Sequence, residues 1–234
     1  MPKITILLPT YHSELYINEA LDSIRRQTMK DFEILVVDDS KTDQTRSILS
    51  QATDLPIRVL IGRQKGLADA LNLGIMQAKG EYIARIDADD LMTHDRLEKQ
   101  ANYLDAHQDV IICGGWQQYF GKSSYLHAPP ADSDQCRANL IFRCDLCHST
   151  LMLRRNVFVE HGLFYDASYA AEDFELWTRA LEYGEIANLP EILGYYRFDG
   201  QNITVAKMKQ LIEQNGQIAA KTLKRTLNIE LSEE

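Results

Sequence analysis

The stretch Tyr82-Ile83-Ala84-Arg85-Ile86-Asp87-Ala88-Asp89-Asp90 places the tightest constraint on how this chain can fold. It reads as a short strand that ends in three carboxylates within four positions. Two like charges 4 Å apart repel by roughly 1 kcal/mol in water and by about 4 kcal/mol at a partly buried site. Such a cluster does not serve stability, so it calls for a positive partner. A hard divalent cation carrying a substrate phosphate fits that need.

Around this stretch, strand-like and helix-like segments alternate. Residues 4–8 form an apolar run closed by Pro9, as in a buried parallel strand. Ser13 is placed to cap a helix carrying Ile17, Leu21 and Ile24 at helical spacing. Residues 33–37 read as a second strand ending in Asp38-Asp39, followed by a short helix near 43–49 and a third strand within 55–61. Leu67, Ala70, Leu71, Gly74, Ile75 and Ala78 share one face of a helix that Gly80 can end. Thr93 is placed to cap a helix carrying Leu97, Ala101 and Leu104. Strand–helix alternation with short connections predicts an α/β fold with a Rossmann-like, doubly wound, mostly parallel sheet. Ligands of such sheets bind beyond the carboxyl ends of the strands. Both acidic clusters fall there.

After residues 110–113 the pattern loosens. Residues 116–140, with Trp116, Gly121 and Pro129-Pro130, read as a long excursion over the sheet edge. A strand is expected at 148–153, a short helix at 156–161 ended by Gly162, and a helix at 172–183 presenting Phe174, Trp177 and Leu181. Two short strands are expected at 186–189 and 193–196, then a last helix from about Thr204 to Leu227.

A chain of 234 residues, 45% of them hydrophobic, can bury a sizeable core in one domain with a small C-terminal addition. A net charge of −9 without a basic patch excludes nucleic acid as a partner. The opening MPKITILLPTYHSE has an apolar run too short for a signal peptide, and no stretch approaches the roughly 18–20 apolar residues that span a bilayer. The expectation is a cytoplasmic protein whose Cys113, Cys136, Cys144 and Cys147 are reduced, buried thiols. Cys144-Asp145-Leu146-Cys147-His148 matches the C-x-x-C-H haem-attachment pattern. That attachment requires export, and no further His/Cys cluster supports a metal there, so thiols are the preferred reading. Asn202-Ile203-Thr204 is a formal glycosylation sequon, without meaning in the absence of secretion.

Five blocks then occur in order: Pro9-Thr10-Tyr11; Val36-Val37-Asp38-Asp39-Ser40 with Asp43 and Thr45; Gly66-Leu67-Ala68-Asp69-Ala70-Leu71-Asn72-Leu73-Gly74; Ile86-Asp87-Ala88-Asp89-Asp90; and Ala171-Glu172-Asp173-Phe174-Glu175-Leu176-Trp177. A lone D-x-D is weak evidence. These five, spanning residues 4 to about 200, together resemble the family 2 glycosyltransferases, which have a GT-A fold and invert the anomeric centre of a nucleotide-activated sugar. The resemblance implies a nucleotide-sugar-binding half at 1–115, an acceptor-side half of the same GT-A domain at 116–200 and a helical tail at 201–234. It implies transfer from a nucleotide-sugar, with a UDP-sugar favoured, to a hydroxyl of a glycan or lipid-linked acceptor, as in polysaccharide biosynthesis, with Mg²⁺ or Mn²⁺ as cofactor.

The same resemblance assigns roles. Thr10 and Tyr11 would border the base, and Asp39, being acceptor-only, would take the base N3–H. Asp38 would shape the turn. Asp87 would reach the ribose and Asp89 would hold the metal, with Asp90 a surface or capping neighbour. Arg63 and Lys65, ahead of a helix N-terminus, would touch the donor phosphates. Gly74 would allow close packing beneath the nucleotide. Asp173 would be the catalytic base, at a helix N-terminus whose dipole favours its ionised form. Glu172, on the acceptor side, would orient the acceptor or exchange roles with Asp173. Trp177 reads as core.

Two positions depart from the family pattern. His12 stands where Asn is usual, and Asp199 stands where a His often follows a segment like Tyr195-Tyr196-Arg197. The last helix carries Lys207, Lys209, Lys221, Lys224 and Arg225 among its apolar positions. It can pack on its own domain or make a peripheral membrane contact near lipid-linked acceptors. Two other functions fit these residues less well. A sugar nucleotidyltransferase needs a glycine-rich, basic phosphate loop after its first strand, and Pro9-Thr10-Tyr11-His12-Ser13 supplies none. A non-catalytic nucleotide-sugar-binding or assembly subunit would have lost its metal or base carboxylates, and both are present.

Overall fold

The computed structural model describes residues 1–200 and 208–229. Strands β1 (Ile4–Thr10), β2 (Phe32–Asp38), β3 (Ile57–Ile61) and β4 (Tyr82–Arg85) run parallel in the order β3-β2-β1-β4. Every residue of β1 is buried. Its alternate side chains enter two cores. Leu7 joins Leu35, Val37 and Ile83 beneath helix α3 (Leu67–Gln77). Ile4, Ile6 and Leu8 join Ile34, Val36 and Tyr82 beneath α1 (Ile17–Arg25) and α4 (Arg96–Ala106). Both faces are covered, so the strands read as unbroken apolar runs. Helix α2 (Gln44–Gln51) completes this half.

The sheet then continues through β8 (Met152–Arg154), β6 (Val110–Gly121), β9 (Glu185–Phe198) and β5 (Leu91–Met92). Strand β8 is antiparallel to β4 and β6, whereas β6 and β9 are parallel along their length. Strand β7 (Leu126–His127) folds back on β6. Helices α5 (Ser133–Leu140), α6 (Arg155–Glu160), α7 (Glu172–Ala180) and α8 (Met208–Leu227) flank this half.

Several expectations change here. The loose segment after residue 116 is not an excursion at its start, because β6 runs on to Gly121 and the Trp116 indole N–H donates to the Pro129 carbonyl at 3.1 Å. The two strands expected near 186–196 are one. Pro190 breaks the sequence pattern, but the register simply steps over it, from Gly115 opposite Leu189 to Trp116 opposite Ile192. Residues 148–150 form a 3-10 turn, not a strand. Ser13 and Thr93 cap through their backbone carbonyls, which accept from the N–H groups of Ile17 and Arg96, and not through their side chains. The four cysteines are free thiols, with Cys144 half-buried and the others buried.

Helix α8 buries Ile218, Thr222 and Leu223 and lies on α7, where Arg225 donates to the Thr178 carbonyl at 2.5 Å. Among the described residues no helix is long and apolar enough to cross a membrane. The sequon at Asn202 to Thr204, the expected start of the last helix and Lys207 lie outside the described residues.

Gly80 does not end α3, whose last residue is Gln77. Its N–H donates to Thr5 Oγ1 at 2.8 Å, and a Cβ at this position would lie 2.4 Å from the Thr5 nitrogen. Gly80 therefore serves the close approach of the chain entering β4 to β1. Backbone cannot retreat as a side chain can, so Gly80→Ala should cost about 3 kcal/mol, the upper end of the overpacking range. A urea-denaturation midpoint unchanged by this substitution would contradict the assignment.

Candidate active site

The first wall of the site is the carboxyl end of β1 and β2. Asp38 is fully buried and accepts from Thr10 Oγ1 at 2.9 Å, Ser40 Oγ at 2.6 Å and Arg46 at 2.5 Å. It shapes the turn, and the Thr10 hydroxyl is spent on it. Asp39 accepts from the backbone N–H of Gln64 at 2.6 Å and of Gly66 at 2.9 Å. One carboxylate thus moulds the loop that leads into α3. Gly66 enters that helix at φ +90°, a conformation favouring glycine, and a Cβ on Gly62 would sit 2.3 Å from Asp39 Oδ1. His12 has φ +51°, in the left-handed region that Asn adopts readily. Tyr11 is 62% exposed. Thr10, Tyr11, Asp39, Asp87 and Asp89 line one cavity of about 680 Å³.

The second wall is the end of β4. Arg85, 3% exposed, grips Asp87 with both terminal nitrogens at 2.5 Å. Asp89 lies next to that pair, and burial with the nearby Asp87 charge pushes its carboxyl up to about 6. Asp90 is not a surface residue. The chain turns after β4, with the Asp90 N–H donating to the Asp87 carbonyl, so the strand's alternation lapses and the side chain is buried. Asp90 accepts from the Ser149 hydroxyl and from the Arg197 N–H at 2.9 Å, tying the ends of β4 and β9 to the 3-10 turn. The Arg197 guanidinium donates to the Asp89 carbonyl and to Glu19, and stacks over Tyr16 and Phe120.

The third wall comes from the second half of the chain. Asp173, in the first turn of α7, accepts the Phe174 N–H at 2.7 Å through Oδ1. Burial raises its pKa, outweighing that N–H and the attraction of Arg85, so the helix terminus does not set its protonation as the sequence suggested. His148 Nδ1 lies 3.9 Å from Asp173 Oδ2. Lys65, Glu172 and Asp173 line a second cavity of about 710 Å³, which shares Gly66, Leu67, Asp87 and Asp89 with the first. Arg63 lines neither cavity, and its guanidinium faces Asp69 at 3.4 Å.

The sequence profile of glycosyl transferase family 2 matches residues 5–162. The chain belongs to that family. An uncharacterised glycosyltransferase of Haemophilus influenzae is 31% identical over 235 residues, covering 89% of this chain and 72% of the relative. EpsJ, an uncharacterised glycosyltransferase of Bacillus subtilis, is 28% identical over 231 residues, with 92% and 67% covered. The fold is that of S. aureus TarS 1–349 in complex with UDP-GlcNAc, at a TM-score of 0.75 and 20% identity over 97% of this chain and 73% of that one. It is also that of the mannosyltransferase PcManGT from Pyrobaculum calidifontis in complex with GDP-Man and Mn²⁺, at 0.71 and 18%, over 99% and 66%. The GT-A architecture follows.

Sequence reasoning missed two residues of this glycosyltransferase's site. Arg85 was visible as the one charge inside an apolar strand, two positions before Asp87 and hence on its face. His148 was masked by the haem-like pattern around it. Asp89 yields a test. Its folded value lies above the 3.8 of a free carboxyl, so the folded state holds its proton more tightly and the group lowers stability as pH rises from about 4 to 6. Without divalent cations, Asp89→Asn should melt higher than the wild type above pH 6, and the gap should narrow as pH falls towards 4. An equal or lower melting temperature at pH 7.5 would refute the buried, charge-crowded environment.

Proposed function

We propose that this glycosyltransferase moves one sugar from a UDP-sugar to a hydroxyl of a glycan or lipid-linked acceptor, inverting the anomeric centre. The observation that carries this reading is the meeting of the two cavities at Asp87 and Asp89. A donor seated in the first would present its diphosphate and sugar at the opening of the second, where Asp173 stands. TarS in its UDP-GlcNAc complex and PcManGT in its GDP-Man and Mn²⁺ complex share this fold, which supports a nucleotide-sugar in the first cavity.

In the first cavity the exposed Tyr11 ring is free to stack on the base beside Thr10. Asp39 keeps lone pairs beyond those its two N–H partners use, and a carboxylate there accepts from a uracil N3–H. Asp87, held by Arg85, reaches the ribose, while Lys65 meets the donor phosphates. The donor set suits a hard divalent ion: it offers oxygen ligands and the clustered negative charge of Asp87 and Asp89, which together with burial raises the Asp89 carboxyl. Asp89 would hold Mg²⁺ or Mn²⁺ there, and the ion would offset the charge of the departing diphosphate.

The second cavity is lined by the aromatic residues Tyr119, His127 and Tyr196 and by the apolar Met208, Leu211 and Ile212 of α8. Ring faces suit the C–H surfaces of a saccharide, and the apolar wall suits a lipid-linked one. The acceptor hydroxyl attacks the anomeric carbon as the bond from that carbon to the diphosphate oxygen breaks. Its proton passes to Asp173, whose raised pKa brings the base closer to the working pH. Glu172 orients the acceptor.

Asp173→Asn should lower kcat by about 10²- to 10⁴-fold, the usual worth of a positioned base, with donor binding unchanged. In a thermal-shift panel, a UDP-sugar should stabilise the protein in a Mn²⁺-dependent manner while GDP-sugars do not. Full activity in Asp173→Asn would remove the base. Donor binding without transfer to any acceptor would favour a non-catalytic binding subunit.

A further inference from the structure

Outside the donor carboxylates, one partly buried polar chain runs from α3 to Asp173. Asn72 lies on α3, the helix that follows the loop Asp39 moulds. Its side chain clamps the backbone of Tyr165 from both sides, Nδ2 donating to the Tyr165 carbonyl and Oδ1 accepting its N–H, each at 2.8 Å. The Tyr165 hydroxyl then meets His148 Nε2 at 2.8 Å. The opposite ring nitrogen, Nδ1, faces Asp173 Oδ2 at 3.9 Å. Trp177 packs edge-on against the imidazole, with ring centroids 5.7 Å apart and planes at 76°. Tyr165 also lies edge-on to Trp177, at 5.8 Å. The ring is thereby held on two sides.

We propose that His148 is a positioning residue for Asp173, with Tyr165 fixing its ring in the tautomer whose Nδ1–H faces the carboxylate; this rests on Asp173 being the base. Hydrogen counting fixes the tautomer. Burial keeps the Tyr165 phenol protonated, and burial together with the nearby Arg85 cation keeps the imidazole neutral. The phenol has one proton to donate, and among the described residues His148 Nε2 is the acceptor it meets. Nε2 therefore accepts, and the ring's single hydrogen sits on Nδ1. At 3.9 Å that N–H is too distant for a hydrogen bond. It acts as a dipole aimed at the carboxylate, favouring the ionised form that a base requires and leaving Oδ2 open to the acceptor hydroxyl. Asn72 extends the same line to α3, so the helix that borders the donor also sets where the base points.

The tautomer is directly observable. Long-range ¹H–¹⁵N correlation spectra of the ¹⁵N-labelled full chain at pH 7.5 should show His148 as the Nδ1–H form, and Tyr165→Phe should abolish that preference. An Nε2–H form in the wild type would overturn the proposal, as would an unchanged tautomer in Tyr165→Phe. Kinetics supply the second reading. In His148→Asn the side-chain amide takes the place of Nδ1–H, so kcat should stay within about 3-fold, whereas His148→Gln reaches only the Nε2 place and should lose about 10- to 100-fold with donor KM unchanged. Equal losses in both would mean that His148 only fills space. The two readings fail separately. Full activity in Asp173→Asn removes the base and leaves the spectrum standing, whereas an inactive Asp173→Asn beside an Nε2–H spectrum overturns the His148 proposal alone.

Discussion

Arg85 is a guanidinium 3% exposed at the end of a central strand, and it cannot shed its charge. A buried, unpaired cation costs several kcal/mol, so a carboxylate must meet it. Asp87 does so with two hydrogen bonds. The strand beneath is held in turn, since the Arg85 N–H donates to the Leu151 carbonyl and its own carbonyl accepts from the buried Arg96. The same cation is felt across the site. It opposes the burial that raises Asp173, and it adds to the burial that keeps His148 neutral. One buried charge on β4 therefore bears on the protonation of groups that the second half of the chain brings to it.

The remaining architecture brings those halves to that charge. The parallel half is built from local strand–helix alternation, with α3 packing back on β1 and β2. The second half depends on long-range pairing: β8 enters beside β4, and β6 with β9 extends the sheet past it. Asp90 closes the junction by joining the turn after β4 to Ser149 and to the backbone of Arg197. A carboxylate expected at the surface thus serves as a buried tie between three segments distant in sequence.

The parallel strands and their helices were legible because burial on both faces and helical periodicity are local signals. So was the position of the two acidic clusters, which the structure sets at the ends of β2 and β4, on either side of β1. The limits of β6 and β9 were not legible. Pro190 reads as a break in any local window, yet two residues can bulge from a long strand when its partner's hydrogen bonds continue on either side. Gly80 likewise read as a helix stop, although its reason for being glycine is the main chain of β1, remote in sequence.

Residue types and order alone determined the family, the fold class and the carboxylates that border the two cavities, because chemistry requires those side chains at fixed places along strand ends and helix starts. Tertiary structure alone decided how the carboxylates divide their work. Asp38 and Asp90 became buried ties, Asp39 the mould of a loop, Asp87 the partner of Arg85, and Asp89 the crowded group left facing the cavities. Solvation is the physical reason. A carboxylate's role depends on which donors and charges surround it once water is removed, and those neighbours arrive from segments that no local pattern links.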